Sequence, residues 1–137
     1  MATLTKFNCF VEDLAEKKHN LGSDTLTIAL CAAANAPTAS NTVLANLTQI
    51  SYTNLSSRAV TTTSSAQTSG TYKLVLADLV LTASGSVGPF RYAVLYNDTA
   101  TNDELIGYVD YGSDVTLASG ETFTLDFDGS AGAIVIS

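Results

Sequence analysis

Strict alternation of large apolar residues with small or polar ones is the feature that most constrains this chain. In residues 122–128, three large apolar side chains alternate with threonine and aspartate, and residues 90–96 and 25–30 repeat the pattern with tyrosine, valine, leucine and isoleucine. Successive side chains of an extended strand point to opposite faces, so a period of two predicts strands with one buried face.

Turn signals rich in glycine, serine, asparagine and aspartate interrupt the chain about every ten residues, as in sandwiches and barrels. The predicted strands are 25–30, 58–65, 72–80, 90–96, 105–111, 115–117, 122–128 and 133–136, and residues 43–50 form either a strand or a single helical turn. Seven to nine short strands of this kind predict an all-β fold, a β-sandwich or jelly roll, rather than alternating strand–helix units.

One segment near the N-terminus departs from the period of two. Between residues 7 and 21 the apolar residues recur at spacings of three and four, which predicts one short α-helix over residues 8–18. Asn8 is the expected N-cap and Gly22 the expected stop. The sequence Lys-Lys-His at 17–19 suits a last helical turn in solvent.

The chain divides into an extended N-terminal arm, 1–7, and a single sandwich domain, 8–137, that includes the helix. A length of 137 residues suits one domain, and no linker or internal repeat is visible. The start of the chain lacks the pattern of a signal peptide, so we expect synthesis in the cytoplasm without secretion. No stretch approaches the roughly 20 apolar residues of a membrane span, so we expect no membrane partner.

Charge is distributed unevenly along the chain. The formal net charge is −7, of which residues 1–73 contribute +1 and residues 74–137 contribute −8. An acidic surface repels phosphate backbones, so nucleic acid is not an expected partner. The acidic half either keeps an alanine- and valine-rich surface soluble or faces a basic neighbouring protein.

The residues that carry chemistry form no recognisable constellation, so we predict no enzyme and no catalytic, cofactor-binding or metal-binding residue. His19 is the sole histidine, and neither cysteine neighbours it in sequence. Cys9 and Cys31 each lie in an apolar run and are interpreted as small buried hydrophobes, although their number permits a disulfide.

The carboxylates fit turns better than they fit sites. Asp126 and Asp128 resemble the start of a calcium loop, but no acidic ligand follows at the twelfth position, so they are interpreted as solvated. Asp110 and Asp114 flank a Tyr-Gly-Ser turn, where a short aspartate side chain can accept hydrogen bonds from nearby amides.

Tyrosines are concentrated on the two strands predicted at 90–96 and 105–111. Packing on the strand faces is the default interpretation of Tyr92, Tyr96, Tyr108 and Tyr111. The alternative is a contact patch for a subunit or a receptor, because tyrosine is enriched at interfaces.

Four segments resemble a widespread family of small tailed-bacteriophage proteins. They are KFNCFVEDLA at 6–15, HNLGSDTL at 19–26, GPFRYAVLYNDT at 88–99 and LIGYVDYG at 105–112. The resemblance runs over most of the chain and is weakest around residues 32–60, where the family has a glycine-rich stretch and this chain has Tyr-Thr-Asn-Leu at 52–55. It implies a virion structural protein, and because no matched motif is catalytic, it transfers no site residues.

Within a virion the expected role is a homo-oligomeric cement protein that binds the outside of the major capsid protein shell. The alternatives are a tail or fibre component that contacts a receptor, and a free carbohydrate-binding module. The predicted partner contacts are Thr3, Leu4, Thr5 and Lys6 of the arm, together with Tyr108 and Tyr111. The arm is expected to add a strand to an open sheet edge of a neighbouring subunit.

Overall fold

Antiparallel strands dominate the computed structural model, which describes residues 2–137 and contains one short α-helix. This confirms the predicted all-β class with an N-terminal helix. In chain order the elements are β1 (Thr5–Lys6), α1 (Cys9–Ala15), β2 (Leu26–Cys31), β3 (Ala59–Val60), β4 (Thr62–Thr68), β5 (Thr71–Leu76), β6 (Leu79–Thr82), β7 (Val87–Asn97), β8 (Leu105–Leu117), β9 (Thr122–Leu125) and β10 (Ile134–Ile136). Single turns of 3₁₀-helix lie at Ala33–Asn35 and Leu44–Asn46.

The strands form a five-stranded sheet with the order β1-β8-β7-β2-β3, a three-stranded sheet β10-β5-β4 and a two-stranded sheet β6-β9. The main apolar core lies between the five-stranded sheet and the two smaller ones. Ile28 and Leu95 of the large sheet belong to the same buried cluster as Leu74 of β5 and Leu81 of β6. Burial of apolar area between facing sheets is what holds such a sandwich together.

Strand β2 is buried on both faces, which corrects the expectation of one buried face. A second buried cluster, with Ala29, Cys31 and Val94 at its centre, lies on the side of the sheet away from the main core. Leu44 and Leu47, from the connection between β2 and β3, pack against this second cluster. The short alternating sequence of β2 does not reveal this cover, because the covering residues come from elsewhere in the chain.

The edge of β2 is closed by the same connection where β3 ends. Tyr52 Oη accepts a hydrogen bond of 2.9 Å from the Leu30 amide, and the Arg58 guanidinium donates to the Ile28 carbonyl. The Arg58 guanidinium carbon lies 3.6 Å from the centroid of the Tyr52 ring. Side chains thus satisfy backbone groups that would otherwise remain open at a sheet edge.

Two predicted strands are each divided between two sheets. The predicted strand 58–65 breaks at Thr61 into β3 and β4, and the predicted strand 72–80 breaks at Ala77 and Asp78 into β5 and β6. At the second break the Asp78 carboxylate accepts a hydrogen bond of 2.8 Å from the Phe127 amide. These breaks and the pairing of the arm add three strands, the joining of the predicted strands 105–111 and 115–117 into β8 removes one, and the described residues therefore contain ten strands, more than the seven to nine expected.

The turn predicted at residues 112–114 is wrong, because β8 continues through it as one strand of 13 residues. Gly112 has a φ of +90°, and the pairing between β7 and β8 shifts register between Phe90 and Tyr92. A glycine with positive φ at a register shift is typical of a β-bulge, which uses the same residue types as a turn.

Helix α1 is shorter than the predicted 8–18 and ends before Gly22. Lys17 adopts a left-handed φ of +71° directly after the helix. The Lys18 amide donates to the Asp13 carbonyl at 2.8 Å, and the Lys17 amide donates to the Leu14 carbonyl at 3.3 Å. This pair of bonds is the Schellman arrangement, so the helix stops at a lysine in a position that usually holds glycine.

An ion pair reinforces this stop. Lys18 Nζ lies 3.1 Å from the buried Asp13 carboxylate. The two residues occupy the positions that are often joined by an apolar contact in a Schellman motif. At the other end of α1, Asn8 precedes the helix as predicted, but its side chain makes no capping hydrogen bond.

Replacing Lys17 by glycine should stabilise the fold. A left-handed conformation costs an L-residue about 1–2 kcal/mol, and the extra unfolded-state entropy of glycine costs about 0.4–1 kcal/mol. The free energy of unfolding should therefore rise by roughly 0.5 kcal/mol, which urea denaturation measures. Lys17→Ala is the matched control because it removes the same charge but keeps a Cβ. A glycine variant no more stable than the alanine variant would contradict the argument.

Candidate functional site

The N-terminal arm lies along the outer edge of β8. Thr5 pairs with Tyr108 and Lys6 with Gly107, so the arm forms β1, the edge strand of the five-stranded sheet. On either side of β1, the Ala2 amide donates to the Asp126 carbonyl at 2.7 Å and the Phe7 amide donates to the Ile106 carbonyl at 3.1 Å. The predicted arm therefore adds a strand to the edge of its own sheet; Met1 lies outside the described residues.

Gly107 makes room for the arm. A Cβ at position 107 would lie 2.7 Å from Leu4 Cγ and 3.0 Å from the Thr5 carbonyl oxygen. The Leu4 side chain passes over this glycine and packs against the main core. Any larger residue at position 107 would displace Leu4, so this pair fixes how closely the arm approaches β8.

The predicted contact residues of the arm separate into inner and outer groups. Leu4 is half-buried, whereas Thr3, Thr5 and Lys6 are exposed. Phe7, which follows them, is fully buried, and its ring centroid lies 5.1 Å from that of Tyr108. The arm is thus anchored at Leu4 and Phe7 and presents three polar side chains outward.

Tyr111 does not join this group. Tyr108 packs with the second cluster, whereas the Tyr111 ring meets Phe123 of β9 at a centroid distance of 5.2 Å. Residues three apart in a strand point to opposite faces, which the sequence spacing itself indicates. Tyr92 and Tyr96 lie with Tyr108 at the second cluster, so the predicted tyrosine patch is divided between two faces.

An apolar groove of about 730 Å³ lies beside the arm. It is bounded by α1, β1 and β10, and both β1 and β10 are edge strands of their sheets. Val11, Val135 and Ile136 line it and are 54, 49 and 41% exposed. We call this surface, made of the outward side of residues 3–6 with Val11, Val135 and Ile136, the arm face. Exposed apolar side chains beside open strand edges are typical of interaction surfaces.

A smaller pocket of about 270 Å³ lies on another side of the molecule, between β8 and β9. Tyr111, 56% exposed, and Phe123 form its aromatic wall. Arg91 Nε and Nη2 donate to the two carboxylate oxygens of Asp110 at 2.8 and 3.1 Å, a bidentate pair at the same pocket. Aromatic and charged groups together can hold a small polar ligand.

The aspartates at the predicted turns bind backbone amides. Asp110 accepts from the Gly112 amide at 2.8 Å, as expected, although this segment is a strand. The hydrogen bonds from Arg91 and Gly112 lower the pKa of Asp110. Asp128 accepts from the Ala131 and Ser130 amides at 2.8 Å each, and these bonds lower its pKa. Such carboxylates organise their own loops.

Both cysteines are free thiols with weak acidity. Burial raises the pKa of Cys31 to about 11, and burial together with Asp13 raises the pKa of Cys9 to about 11. A thiol is a nucleophile only as thiolate, so neither is activated at neutral pH. Cys31 is buried as predicted, whereas Cys9 is only partly buried.

His19 is buried, which corrects the prediction of a solvated helix end. Because the helix stops at Lys17, the chain turns inward, and only 5% of the histidine is exposed. Its Nδ1 lies 3.0 Å from Asn97 Nδ2, a partner 78 residues away. No local sequence signal marks this contact, and sequence reasoning missed the buried polar group formed by Asp13, His19, Asn97 and Glu104.

Within residues 2–137, no group of three or more histidine, cysteine, aspartate and glutamate side chains is arranged to hold a metal ion. The same part of the chain contains no helix that is long and apolar enough to cross a membrane.

Comparison with known proteins gave no match to a family model, to a curated protein or to a solved structure. The resemblance to tailed-bacteriophage proteins therefore stays a prediction from the quoted segments.

Gly107→Ala should release the arm without unfolding the domain. The new Cβ would collide with Leu4 and the Thr5 carbonyl, and overpacking of this kind costs about 1–3 kcal/mol. Limited trypsin digestion measures the release as faster cleavage after Lys6.

Gly129→Ala is the matched control, because a Cβ there meets no atom within 4 Å. Cleavage after Lys73 of β5 monitors unfolding of the domain in both variants. Equal cleavage after Lys6 in the two variants would show that the close approach at Gly107 does not hold the arm.

Proposed function

We propose that this chain is a virion structural protein of a tailed bacteriophage that binds the outside of the major capsid shell and stabilises it. The observation that carries the proposal is the arm face, where two open strand edges meet exposed apolar side chains. The proposal that this assembly is a phage particle rests on the resemblance to phage proteins of residues 6–15, 19–26, 88–99 and 105–112. The proposed role is non-catalytic.

The arm face offers two means of attachment. The free side of β1 and of β10 can accept an extended segment of a neighbouring protein by strand addition. Val11, Val135 and Ile136 can bury apolar area against the same neighbour. A protein that binds the closed shell and not its free subunits stabilises the shell by mass action.

Charge supports docking on a basic neighbour. Asp78, Asp98, Asp114 and Glu121 are all exposed and belong to the acidic half of the chain. A field of one sign steers encounter with a surface of the opposite sign. Capsid sites follow the symmetry of the shell, so the proposal includes a homo-oligomer whose copies repeat that symmetry.

The proposal is tested by measuring how variants of the arm face bind to phage particles. Val135→Asp places a charge in the groove and should reduce occupancy on particles assembled without the native chain at least about tenfold, because a buried unpaired carboxylate opposes docking. Val80→Asp is the matched control, since Val80 is 51% exposed against 49% for Val135 and lies on β6, outside the arm face. Equal occupancy of the two variants would contradict docking through the arm face.

The number of copies per virion distinguishes the capsid role of this chain from a tail role. Quantitative densitometry of purified virions should give copies on the order of hundreds, comparable with the capsid protein, whereas a tail or fibre component is present in a few to tens. A count of a few to tens would contradict the capsid role and support a tail or fibre component. Complete absence from virions would exclude both roles.

The pocket beside Tyr111 favours a second candidate, a tail or fibre component that contacts a receptor. An exposed aromatic ring next to the Arg91–Asp110 pair suits the apolar face and hydroxyl groups of a sugar. Binding of the isolated chain to a glycan array, lost in Tyr111→Ala, would support this candidate or a free carbohydrate-binding module. Loss of particle binding in Val135→Asp without glycan binding would support the capsid role.

A further inference from the structure

The His19 ring connects the helix end of the molecule to the end of the central sheet. It follows α1 in the chain, and its centroid lies 5.4 Å from that of Phe10 in the helix. Its Nδ1 lies 3.0 Å from Nδ2 of Asn97, the last residue of β7. Residues 9–24 therefore meet the end of β7 through this ring and through Asp24, whose Oδ2 accepts a hydrogen bond of 2.7 Å from Asn97 Nδ2.

The hydrogen bonds of Asn97 determine which ring nitrogen carries the proton. Its Oδ1 accepts from the Thr99 and Ala100 amides at 3.0 and 3.1 Å, so the side-chain amide has one orientation. Its Nδ2 donates to Asp24 Oδ2 at 2.7 Å and has a second hydrogen that points to His19. Nδ1 of His19 is therefore the acceptor, and the neutral ring carries its proton on Nε2.

A second proton has no place in this arrangement. Protonation at Nδ1 of His19 would set one N–H donor against another, the Nδ2 donor of Asn97, at 3.0 Å. Nε2 offers no compensation, because it is buried and has no hydrogen-bond partner among the residues that the structure describes. The charged ring would thus lose its one hydrogen bond inside the protein.

Charged groups around the ring shift the pKa of His19 in both directions. The titratable groups that surround it are Asp13 of α1, Lys17 and Lys18 after the helix, Asp24 before β2, Tyr72 of β5 and Glu104 before β8. Burial lowers the pKa of His19 below its ordinary value of 6.5, and this outweighs the opposite effect of Asp13, Glu104 and Asp24. Tyr72 and Lys17 border the shallow groove beside the ring.

We propose that His19 is a pH-sensitive latch: the neutral ring holds residues 9–24 against the β7–β8 turn, and protonation of the ring releases them. Opening exposes the buried side chains of Phe10 and Leu21, which pack on the main core. The arm precedes α1 directly, so the released segment is continuous with the arm face. The pH-sensitive part of the latch is the His19–Asn97 contact, since the Asp24–Asn97 hydrogen bond does not involve the ring, and the latch is proposed whether or not the chain binds a capsid.

The direction of the effect follows from linkage. A histidine whose pKa is lowered in the folded state contributes stability that is complete above its unfolded pKa near 6.5 and is lost as the pH falls below it. Asp110 and Asp128 have pKa values below the ordinary 3.8, so their protonation changes the stability of the fold only in more acidic solution. The raised pKa of Asp103 has the opposite sign, since it favours the folded state as the pH falls.

Hydrogen–deuterium exchange of the full chain tests the latch. After correction for the intrinsic rates, amides of residues 9–24 should exchange faster at pH 5 than at pH 7.5, by a factor that grows with the lowering of the folded pKa of His19 up to a ceiling of about thirtyfold, because pH 5 lies about 1.5 units below the unfolded pKa near 6.5. The amides of β7 and β8 should stay protected. Unchanged protection of 9–24, or an equal loss of protection in all elements, would overturn the proposal.

Two variants assign the effect to the ring. His19→Asn keeps an acceptor for Asn97 and cannot titrate, whereas His19→Phe keeps an aromatic ring beside Phe10 and removes the acceptor. Both should abolish the pH dependence of exchange in residues 9–24, and a variant that keeps it would overturn the proposal. If neither folds, an NMR titration of the native chain decides, because His19 is its sole histidine. Its pKa must then lie below 6.5 and coincide with the acid midpoint of opening.

Discussion

The antiparallel pairing of β7 with β8 is the interaction on which the other features depend. These are the longest strands in residues 2–137, with 11 and 13 residues, and they lie at the centre of the five-stranded sheet. The arm docks on β8 at Gly107, and the His19 ring docks on the last residue of β7. Both contacts require the β7–β8 ladder to be present, because neither segment is long enough to be stable alone.

The alternation of residues predicted the strands well and their partners poorly. The predicted strands 122–128 and 25–30 correspond to β9 (Thr122–Leu125) and β2 (Leu26–Cys31), because a period of two fits extended backbone whatever the partner, but β9 ends before Asp126 and β2 is buried on both faces. The corner at Asp78 was missed because its carboxylate satisfies the amide of Phe127, a contact with another part of the chain. The sequence predicts a turn at Gly112 where the structure has a bulge, because both use a glycine with positive φ.

The candidate site was predictable only where it depends on spacing along the chain. The arm residues 3–6 and Tyr108 come together through the pairing of β1 with β8, and no local signal specifies that register. The separation of Tyr108 from Tyr111 does follow from their spacing of three. The sequence predicts a solvated His19 because Gly22 is the expected helix stop, whereas the left-handed turn at Lys17 directs the chain inward earlier.

The sheet edges differ in how far they are covered or polar, and this difference distinguishes the arm face. Strand β4 is almost entirely exposed and consists of threonine, serine, glutamine and one alanine, and the edge of β2 is closed by Tyr52 and Arg58. Strand β6 has one exposed valine, and its edge is bonded to Ser56. Polar residues or cover at an edge prevent unwanted pairing. Strand β10 has neither, since Val135 and Ile136 stand exposed beside its open edge. The edges of β2, β4 and β6 are thus covered or polar, whereas the edge of β10 is open and apolar, which is the property expected of an interaction surface.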